Sequence, residues 1–212
     1  MLSQILEQNR TLLENRHSYL LPQLTKIIAL VDKLENKAGP EYFEAFQRKE
    51  FRHGEYLLCE GSICRTIWIL EKGLVRLFDQ KDGEQAIRYF FCPGEFIDDT
   101  DSSIQKIPSV KNIQAITDST AYVVRRNAVE RLAKRYPAIN EIEKLALQGF
   151  NIWLDRRMSR SQHFSIKEQY IYMLHDQAPL INYLSNIHIA SYLGAAAETI
   201  SRKRKNLGRG VR

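Results

Sequence analysis

The chain has 212 residues, of which 44% are hydrophobic and 26% are charged, and its formal net charge is +6. This length and composition are ordinary for one or two globular domains with hydrophobic cores. No apolar stretch approaches the about 20 residues that a membrane-spanning helix needs, and the first residues do not form a basic lead followed by an apolar run. We therefore expect a cytoplasmic protein without a membrane partner.

The first 38 residues are predicted to be helical, because leucine and isoleucine recur among polar residues at helical spacing. Pro22 is expected to separate two helices in this extension. Two interpretations stay open for it. The extension packs on the following domain, or it presents a helix to a partner.

Residues 39–136 are predicted to form an antiparallel β-roll. A short helix over 41–48 leads into segments that are rich in aromatic and β-branched residues and are separated by glycines. This alternation of short strands and turns is typical of a β-sandwich or barrel. The predicted strands are 56–59, 67–70, 74–78, 86–91, 112–116 and 121–124.

A long helix is predicted to follow over 137–161, with Pro137 at its start, where the fixed φ of proline favours helix initiation. The helix has two apolar faces. One face suffices to pack on the roll, so the second implies another partner, and we predict dimerisation; core burial without dimerisation is the alternative. The dimer contacts are assigned to Ile139, Ile142, Ala146, Gly149 and Trp153. The other face holds Leu147, Phe150, Leu154 and Met158.

Residues 185–207 predict a helix, a tight turn and a second helix. Apolar residues such as Ile189 and Ile200 recur at helical intervals, and Gly194 interrupts the pattern as a turn glycine would. The last 16 residues carry five of the six net positive charges of the chain. A basic segment of this kind is the expected electrostatic footprint for DNA phosphates, although a solvated basic helix would look the same.

The run IASYLGAAAETISR resembles the DNA-binding helices of the bacterial CRP/FNR transcription regulators, in the branch whose recognition helix has an ExxSR signature. Glu198, Ser201 and Arg202 match that signature. The resemblance implies that they contact base edges of a palindromic site with TTGA-like half-sites; an arginine fork can bind guanine, and a carboxylate can accept from cytosine. Their neighbours are assigned to the DNA backbone: Thr199, Lys203, Arg204, Lys205 and Arg209.

The segments HGEYLLCEG and IWILEKGLVRLF resemble the β-roll of cyclic nucleotide-binding domains. In that family, a cassette that begins with Gly-Glu and ends with Arg followed by Ser or Thr holds the ribose and phosphate. Gly94 and Glu95 match its opening and Ser109 its hydroxyl, but Pro108 stands where the arginine is needed. A buried phosphate requires a charge-assisted donor, which proline lacks. We therefore expect a degenerate effector pocket at Gly94, Glu95, Ser109 and Lys111 that does not bind cyclic nucleotide.

The sequence offers no catalytic or metal-binding pattern. Cys59, Cys64 and Cys92 form neither a zinc tetrad nor a disulfide framework, and His53 is the only histidine in 42–136. No nucleophile elbow, phosphate loop or HExxH motif occurs. We expect no enzyme activity, no metal and no cofactor. The cysteines are interpreted as buried strand residues, with a regulatory thiol at Cys59 or Cys64 as the alternative.

Together these patterns predict an α+β chain with four parts: N-terminal helices (1–38), a β-roll sensor domain (39–136), a dimerisation helix (137–161) and a winged-helix-like helix-turn-helix domain (162–212). The predicted function is that of a homodimeric, sequence-specific transcription regulator. Its expected partners are double-stranded DNA, RNA polymerase, a second copy and an unknown small-molecule effector. The alternative is a ligand-sensing or protein-interaction module whose DNA-binding end is degenerate, since Lys203 stands where an apolar residue would pack.

Overall fold

The computed structural model describes residues 1–17, 21–176 and 178–209. It confirms an α+β fold in which helices precede, interrupt and follow two antiparallel sheets. Within the described residues, no helix is both long enough and apolar enough to cross a bilayer. The helices are α1 (Leu2–Gln8), α2 (Arg10–Arg16), α3 (Leu21–Lys37), α4 (Pro40–Glu44), α5 (Thr100–Gln105), α6 (Arg126–Arg135), α7 (Ala138–His163), α8 (Ile166–Asp176), α9 (Ala178–Ile181), α10 (Asn186–Leu193) and α11 (Ala197–Arg209). The strands are β1 (Gln47–Phe51), β2 (Tyr56–Leu58), β3 (Thr66–Lys72), β4 (Val75–Lys81), β5 (Glu84–Phe91), β6 (Phe96–Ile97), β7 (Asn112–Ala115) and β8 (Ser119–Arg125).

The two sheets form the predicted β-roll. One sheet has the strand order β1-β8-β3-β6 and the other β2-β7-β4-β5. Each predicted strand overlaps an observed one, because aromatic and β-branched residues are favoured in strands. Strand β3 is buried on both faces. Its residues Trp68 and Leu70 lie in the core between the sheets, whereas Ile67 and Ile69 pack against the helices outside.

Two parts of the roll differ from the sequence prediction. The helix predicted over 41–48 ends at Glu44, and Gln47–Phe51 forms strand β1, which pairs with β8. Four of the five β1 residues are exposed, so this edge strand has no hydrophobic alternation to identify it. The short elements α5 and β6 were not predicted either. Pairing with a neighbouring strand, and not the local pattern, decides the structure at β1.

The N-terminal extension packs on the rest of the chain. Helix α1 packs against α3, and α3 runs along α7. Leu6 in α1 and Val31 in α3 are almost completely buried. The side chain of Glu35 accepts hydrogen bonds from the backbone N–H groups of Leu2 (2.6 Å) and Ser3 (3.3 Å), which satisfies donors at the start of α1. Of the two interpretations left open by the sequence, the structure therefore shows the packed one.

The faces of α7 are the reverse of the sequence assignment. The residues assigned to the dimer are directed into the chain itself, because α3 and the roll occupy that side of the helix. Ala146 is half-buried and the others are buried: Ile139, Ile142, Gly149 and Trp153. The second apolar face is exposed instead and consists of Leu147, Phe150, Leu154 and Met158. The sequence pattern shows that α7 has two apolar faces, but the packing of α3 against α7 decides which face is covered.

Candidate DNA interface and effector pocket

The helix-turn-helix predicted at the C-terminal end is present as α10 and α11. Ser185 caps α10, since its side chain accepts from the backbone N–H of His188 at 3.1 Å. Gly194 ends the helix in the left-handed conformation, with φ 65°. Because glycine has no Cβ, it adopts this conformation without strain. The chain then re-enters a helix at Ala197.

The two helices are held together by a small apolar core. Ile189 of α10 and Ile200 of α11 are both 0% exposed, and Ala190 is 4% exposed. A small residue at Ala190 lets the second helix approach closely, as the steep crossing of a helix-turn-helix requires. The backbone N–H of Ala195 donates to the carbonyl of Ala190 at 3.0 Å and closes the turn. Local sequence and packing therefore agree at this motif.

The three residues of the ExxSR signature share one solvent-exposed side of α11. Glu198, Ser201 and Arg202 are exposed, and so is Lys205. Their spacing of i, i+3, i+4 and i+7 places them along one stripe of the helix. Glu198 lies in the first turn, where a carboxylate also interacts favourably with the helix dipole. Thr199 and Lys203 are half-buried beside the stripe.

Arg204, which the sequence assigned to a DNA phosphate, is directed into the protein. Its guanidinium donates to the carbonyl oxygens of Ile181 (2.8 Å) and Leu184 (3.3 Å) and to Oδ1 of Asn186 (2.9 Å). These bonds satisfy carbonyl groups at the end of α9 and tie α11 to the segment before α10. The structure thus corrects the assignment: Arg204 holds the unit together. The side chain of Arg209 lies outside the described part of the chain.

At the predicted effector pocket, Glu95 is the centre of a buried polar cluster. Nε of Arg16 lies 3.1 Å and Nε2 of His17 lies 2.6 Å from its Oε1. The hydroxyl of Tyr89 donates to the same oxygen at 2.7 Å. The backbone N–H of Cys92 donates to Oε2 at 2.8 Å. Arg16 and His17 belong to the N-terminal segment, so this segment reaches into the cassette.

The cluster sets the protonation states of Glu95, Arg16, Tyr89 and Cys92. Burial by itself would raise the pKa of Glu95, but Arg16 and His17 outweigh it and lower this pKa to about 2. Burial, reinforced by the Glu95 carboxylate, raises the pKa values of Tyr89 and Cys92. Burial by itself would lower the pKa of Arg16, but the Glu95 carboxylate outweighs burial and raises this pKa above its usual value. The pocket therefore holds an ionised carboxylate and guanidinium beside a protonated phenol and thiol.

The N-terminal helices also occupy the space above Gly94. This glycine has φ 91°, and a Cβ built on it would lie 2.7 Å from Cδ1 of Leu13 in α2. The cavity that remains directly beside Gly94 and Glu95 measures about 150 Å³, which is small for a site that typically measures about 300 to 1,000 Å³. A second cavity of about 660 Å³ is lined by Arg16, Tyr89, Lys111 and Trp153, among others. The expectation from Pro108 that this region does not bind cyclic nucleotide stays a prediction.

Ser109 and Lys111, the other two predicted pocket residues, form a polar cluster of their own around Asp99. Oγ of Ser109 donates to Oδ2 of Asp99 at 2.7 Å, and Nζ of Lys111 lies 2.6 Å from Oδ1. Asp99 is 3% exposed, so its carboxylate needs these partners. The charge of Lys111 is therefore paired with Asp99 and does not replace the missing arginine.

Arg16 and His17 are not among the pocket residues predicted from the sequence, although Arg16 carries a signal of its burial. Leu6, Leu13 and Arg16 are all buried and fall on one side of the two short N-terminal helices. An arginine that continues an apolar face needs a buried acceptor. That spacing could have identified Arg16 as a buried residue, but the identity of its partner, 79 positions away in the sequence, could not be read from it.

The three cysteines are free. Cys64 and Cys92 are buried as predicted, but Cys59 is exposed, so the interpretation as a buried residue is wrong for Cys59. All three lie just outside the strands: Cys59 follows β2, Cys64 precedes β3 and Cys92 follows β5. Burial raises the pKa of the Cys64 thiol, which disfavours the reactive thiolate. Across the described residues, no group of histidine, cysteine, aspartate and glutamate side chains is arranged to hold a metal ion.

Residues 48–136 match the family model of the cyclic nucleotide-binding domain. The HTH-type transcriptional regulator Cmr of Mycobacterium tuberculosis is 29% identical over 96 residues, which cover 45% of this chain and 39% of that protein. The match thus spans about two fifths of the length of this curated relative.

Solved structures of transcription regulators share the fold over most of their length. The c-di-GMP responsive global regulator CLP of Xanthomonas campestris superposes with a TM-score of 0.65 at 17% identity, over 80% of this chain and 90% of that one. FixK2 of Bradyrhizobium japonicum superposes with a TM-score of 0.67 at 19% identity, over 78% of this chain and 85% of that one. A putative regulator of the CRP/FNR family from Eubacterium rectale superposes with a TM-score of 0.64 at 15% identity, over 84% of this chain and 87% of that one. At these identities the similarity shows the fold.

Proposed function

We propose that this chain is a homodimeric, sequence-specific DNA-binding regulator of the bacterial cytoplasm. It carries a cyclic nucleotide-binding domain within the fold of the CRP/FNR transcription regulators. The observation that carries the proposal is the exposed stripe of Glu198, Ser201 and Arg202 on the second helix of a helix-turn-helix. A recognition helix places such residues against base edges in the major groove.

Each residue of the stripe has a chemical role in base readout. The guanidinium of Arg202 can donate two parallel hydrogen bonds to O6 and N7 of guanine. The carboxylate of Glu198 can accept from N4 of cytosine, and the hydroxyl of Ser201 can donate or accept. Lys205 lies at the far end of the same stripe, where a cation is suited to a phosphate. This set supports half-sites of the TTGA-like kind.

The dimer contact is proposed at the exposed face of α7 in place of the face assigned from the sequence. Leu147, Phe150, Leu154 and Met158 follow spacings of three, four and four residues, which place them in one row along the helix. Their exposed fractions of 39 to 53% are high for large apolar side chains that form one row. A second copy packed on this row by two-fold symmetry would place two recognition helices about 34 Å apart, at successive major grooves.

We propose that an effector or a protein partner acts on the roll and changes the packing of α7, which alters the spacing of the recognition helices. An apolar cavity of about 510 Å³ between α3, β3 and α7 gives a small molecule room. RNA polymerase is the expected partner of the DNA-bound dimer. The alternative is that the DNA-binding end is degenerate. A functional DNA-binding end is favoured because the Arg204 hydrogen bonds and the buried isoleucines keep the helix-turn-helix assembled.

The experiment is selection of the purified protein against random DNA duplexes at moderate salt, with and without cyclic AMP. We expect enrichment of a palindrome with TTGA-like arms in both conditions. The control is the triple variant Glu198→Ala, Ser201→Ala, Arg202→Ala, which should keep salt-dependent binding and lose sequence preference. Sequence preference that survives in the triple variant, or absence of any enrichment by the natural protein, would contradict the proposal.

A further inference from the structure

The Glu95 pocket contains acceptors that match a guanidinium group. Arg16 is 5% exposed, and its Nε lies 3.1 Å from Oε1 of Glu95. The same guanidinium donates to the backbone carbonyl of Phe90. Arginine has only donors, and a carboxylate and a carbonyl oxygen have only acceptors, so Nε and Nη2 of Arg16 are complementary to these two groups. Nη1 of Arg16 is buried without a hydrogen-bond partner among the described residues.

The donors around Glu95 are already in use. The hydroxyl of Tyr89 and the backbone N–H of Cys92 both donate to Glu95. Pro108, which stands in place of the cassette arginine, offers a phosphate no charge-assisted donor.

The shape of the pocket also follows from the N-terminal segment. Leu13 lies directly over Gly94, and the side chains of Leu6 and Arg16 are buried with it. The segment that supplies the cation therefore also fills the space directly above Gly94.

We propose that the Glu95 pocket is a guanidinium-binding site and that its ligand is Arg16, supplied by the N-terminal segment of the same chain. The pocket thus has a built-in occupant in the position where the family cassette would hold a nucleotide. This occupant contacts the rest of the regulator: the guanidinium of Arg16 lies 5.1 Å from the ring centre of Tyr89, and that ring lies 4.6 Å from the ring of Trp153 in α7. The arrangement of α7 is therefore set without a cyclic nucleotide.

The test is chemical rescue of the full chain, measured by thermal unfolding. Arg16→Ala leaves the Glu95 carboxylate buried without its guanidinium, and the midpoint of unfolding should fall by roughly 10 °C. Millimolar ethylguanidinium should recover several degrees of this loss, whereas ethylammonium, a cation without the planar fork, should not. The matched control is Arg10→Ala, since Arg10 lies on the same helix and pairs with Glu7 and Glu14 at the surface. Its midpoint should stay close to that of the natural protein and should not rise with ethylguanidinium.

Two results would overturn the inference: no rescue of a folded Arg16→Ala variant, or equal rescue of Arg10→Ala. If Arg16→Ala does not fold, Arg16→Lys replaces it, and a midpoint equal to that of the natural protein would also overturn the inference. Calorimetric titration of the natural protein with cyclic AMP should give no binding heat, and saturable binding would show that the pocket accepts a nucleotide. These measurements involve no DNA, so their outcome is independent of the proposed base readout.

Discussion

Arg157 of α7 donates a hydrogen bond of 3.0 Å to the backbone carbonyl of Tyr192 in α10. Its guanidinium also lies 4.0 Å from the ring centre of Tyr192. The same group donates to the carbonyl oxygens of Ile87 (3.3 Å) and Arg88 in β5. Burial lowers the pKa of Arg157. One largely buried arginine therefore joins the roll, the long helix and the DNA-binding helices.

Replacement of this arginine should weaken that junction. Arg157→Lys keeps the charge but loses the fork that reaches three carbonyl groups, so we expect the free energy of unfolding to fall by about 1 to 3 kcal/mol. DNA affinity should fall as well, because α10 loses one of its attachments to β5 and keeps those through Ser191 and the Tyr192 ring. Urea unfolding and DNA titration measure the two effects. Arg131→Lys, at an exposed position in α6, is the control and should change neither; an Arg157→Lys variant as stable as the natural protein would contradict the role of this contact.

Arg202 and Arg204 should separate DNA recognition from folding. Arg202→Ala should lower specific DNA affinity by about 1 to 3 kcal/mol and relax the preference at one base pair, with unchanged thermal stability, because the side chain is exposed. Arg204→Ala should lower the thermal stability, because it removes the side-chain donor from the carbonyl groups of Ile181 and Leu184 and from Asn186. Selection on random duplexes and thermal unfolding of both variants provide the comparison. Equal effects of the two substitutions on stability would refute this division.

The exposed face of α7 should control the oligomeric state. Leu154→Glu puts an unpaired charge into the proposed dimer contact, and we expect the dimer dissociation constant to rise roughly 100-fold or more. Sedimentation equilibrium measures this change. Ile187→Glu is the control, since Ile187 is 69% exposed in α10, away from that contact, and should leave the mass unchanged. By contrast, Trp153→Ala should lower stability by about 3 to 5 kcal/mol, because Trp153 is a core residue. A Leu154→Glu variant that sediments like the natural protein would place the dimer contact elsewhere.

Glu95 should make stability depend on acid pH. Its pKa is lowered from 4.5 to about 2 in the folded chain, so its contribution is complete above pH 4.5 and is lost as the pH falls toward 2. The stability difference between the natural protein and Glu95→Gln should therefore shrink with falling pH, by on the order of 3 kcal/mol across this window. Urea unfolding from pH 6 downwards measures it. Glu60→Gln, at an exposed site, is the control and should give a nearly constant difference; a pH-independent difference for Glu95→Gln would contradict the buried ion pair.

The helix-turn-helix could be predicted from sequence because its signals are local. Gly194 is the residue that tolerates a left-handed turn, and Ile189 and Ile200 lie at the intervals that bury one side of each helix. The exposure of Glu198, Ser201 and Arg202 follows from the same helical period. Strand β1 could not be predicted, since its exposed residues carry no pattern and only pairing with β8 forms it.

The sequence by itself determined the class of the fold, the strands that are rich in aromatic and β-branched residues, the turn at Gly194 and the absence of an arginine at position 108. These features depend on backbone preferences and on side-chain chemistry that act over a few residues. Only the tertiary structure decided which face of α7 is covered, that Arg204 is directed inward, and that Arg16 meets Glu95. Each of these depends on segments far apart in the chain that arrive at one place, and burial then requires every charge there to find its partner.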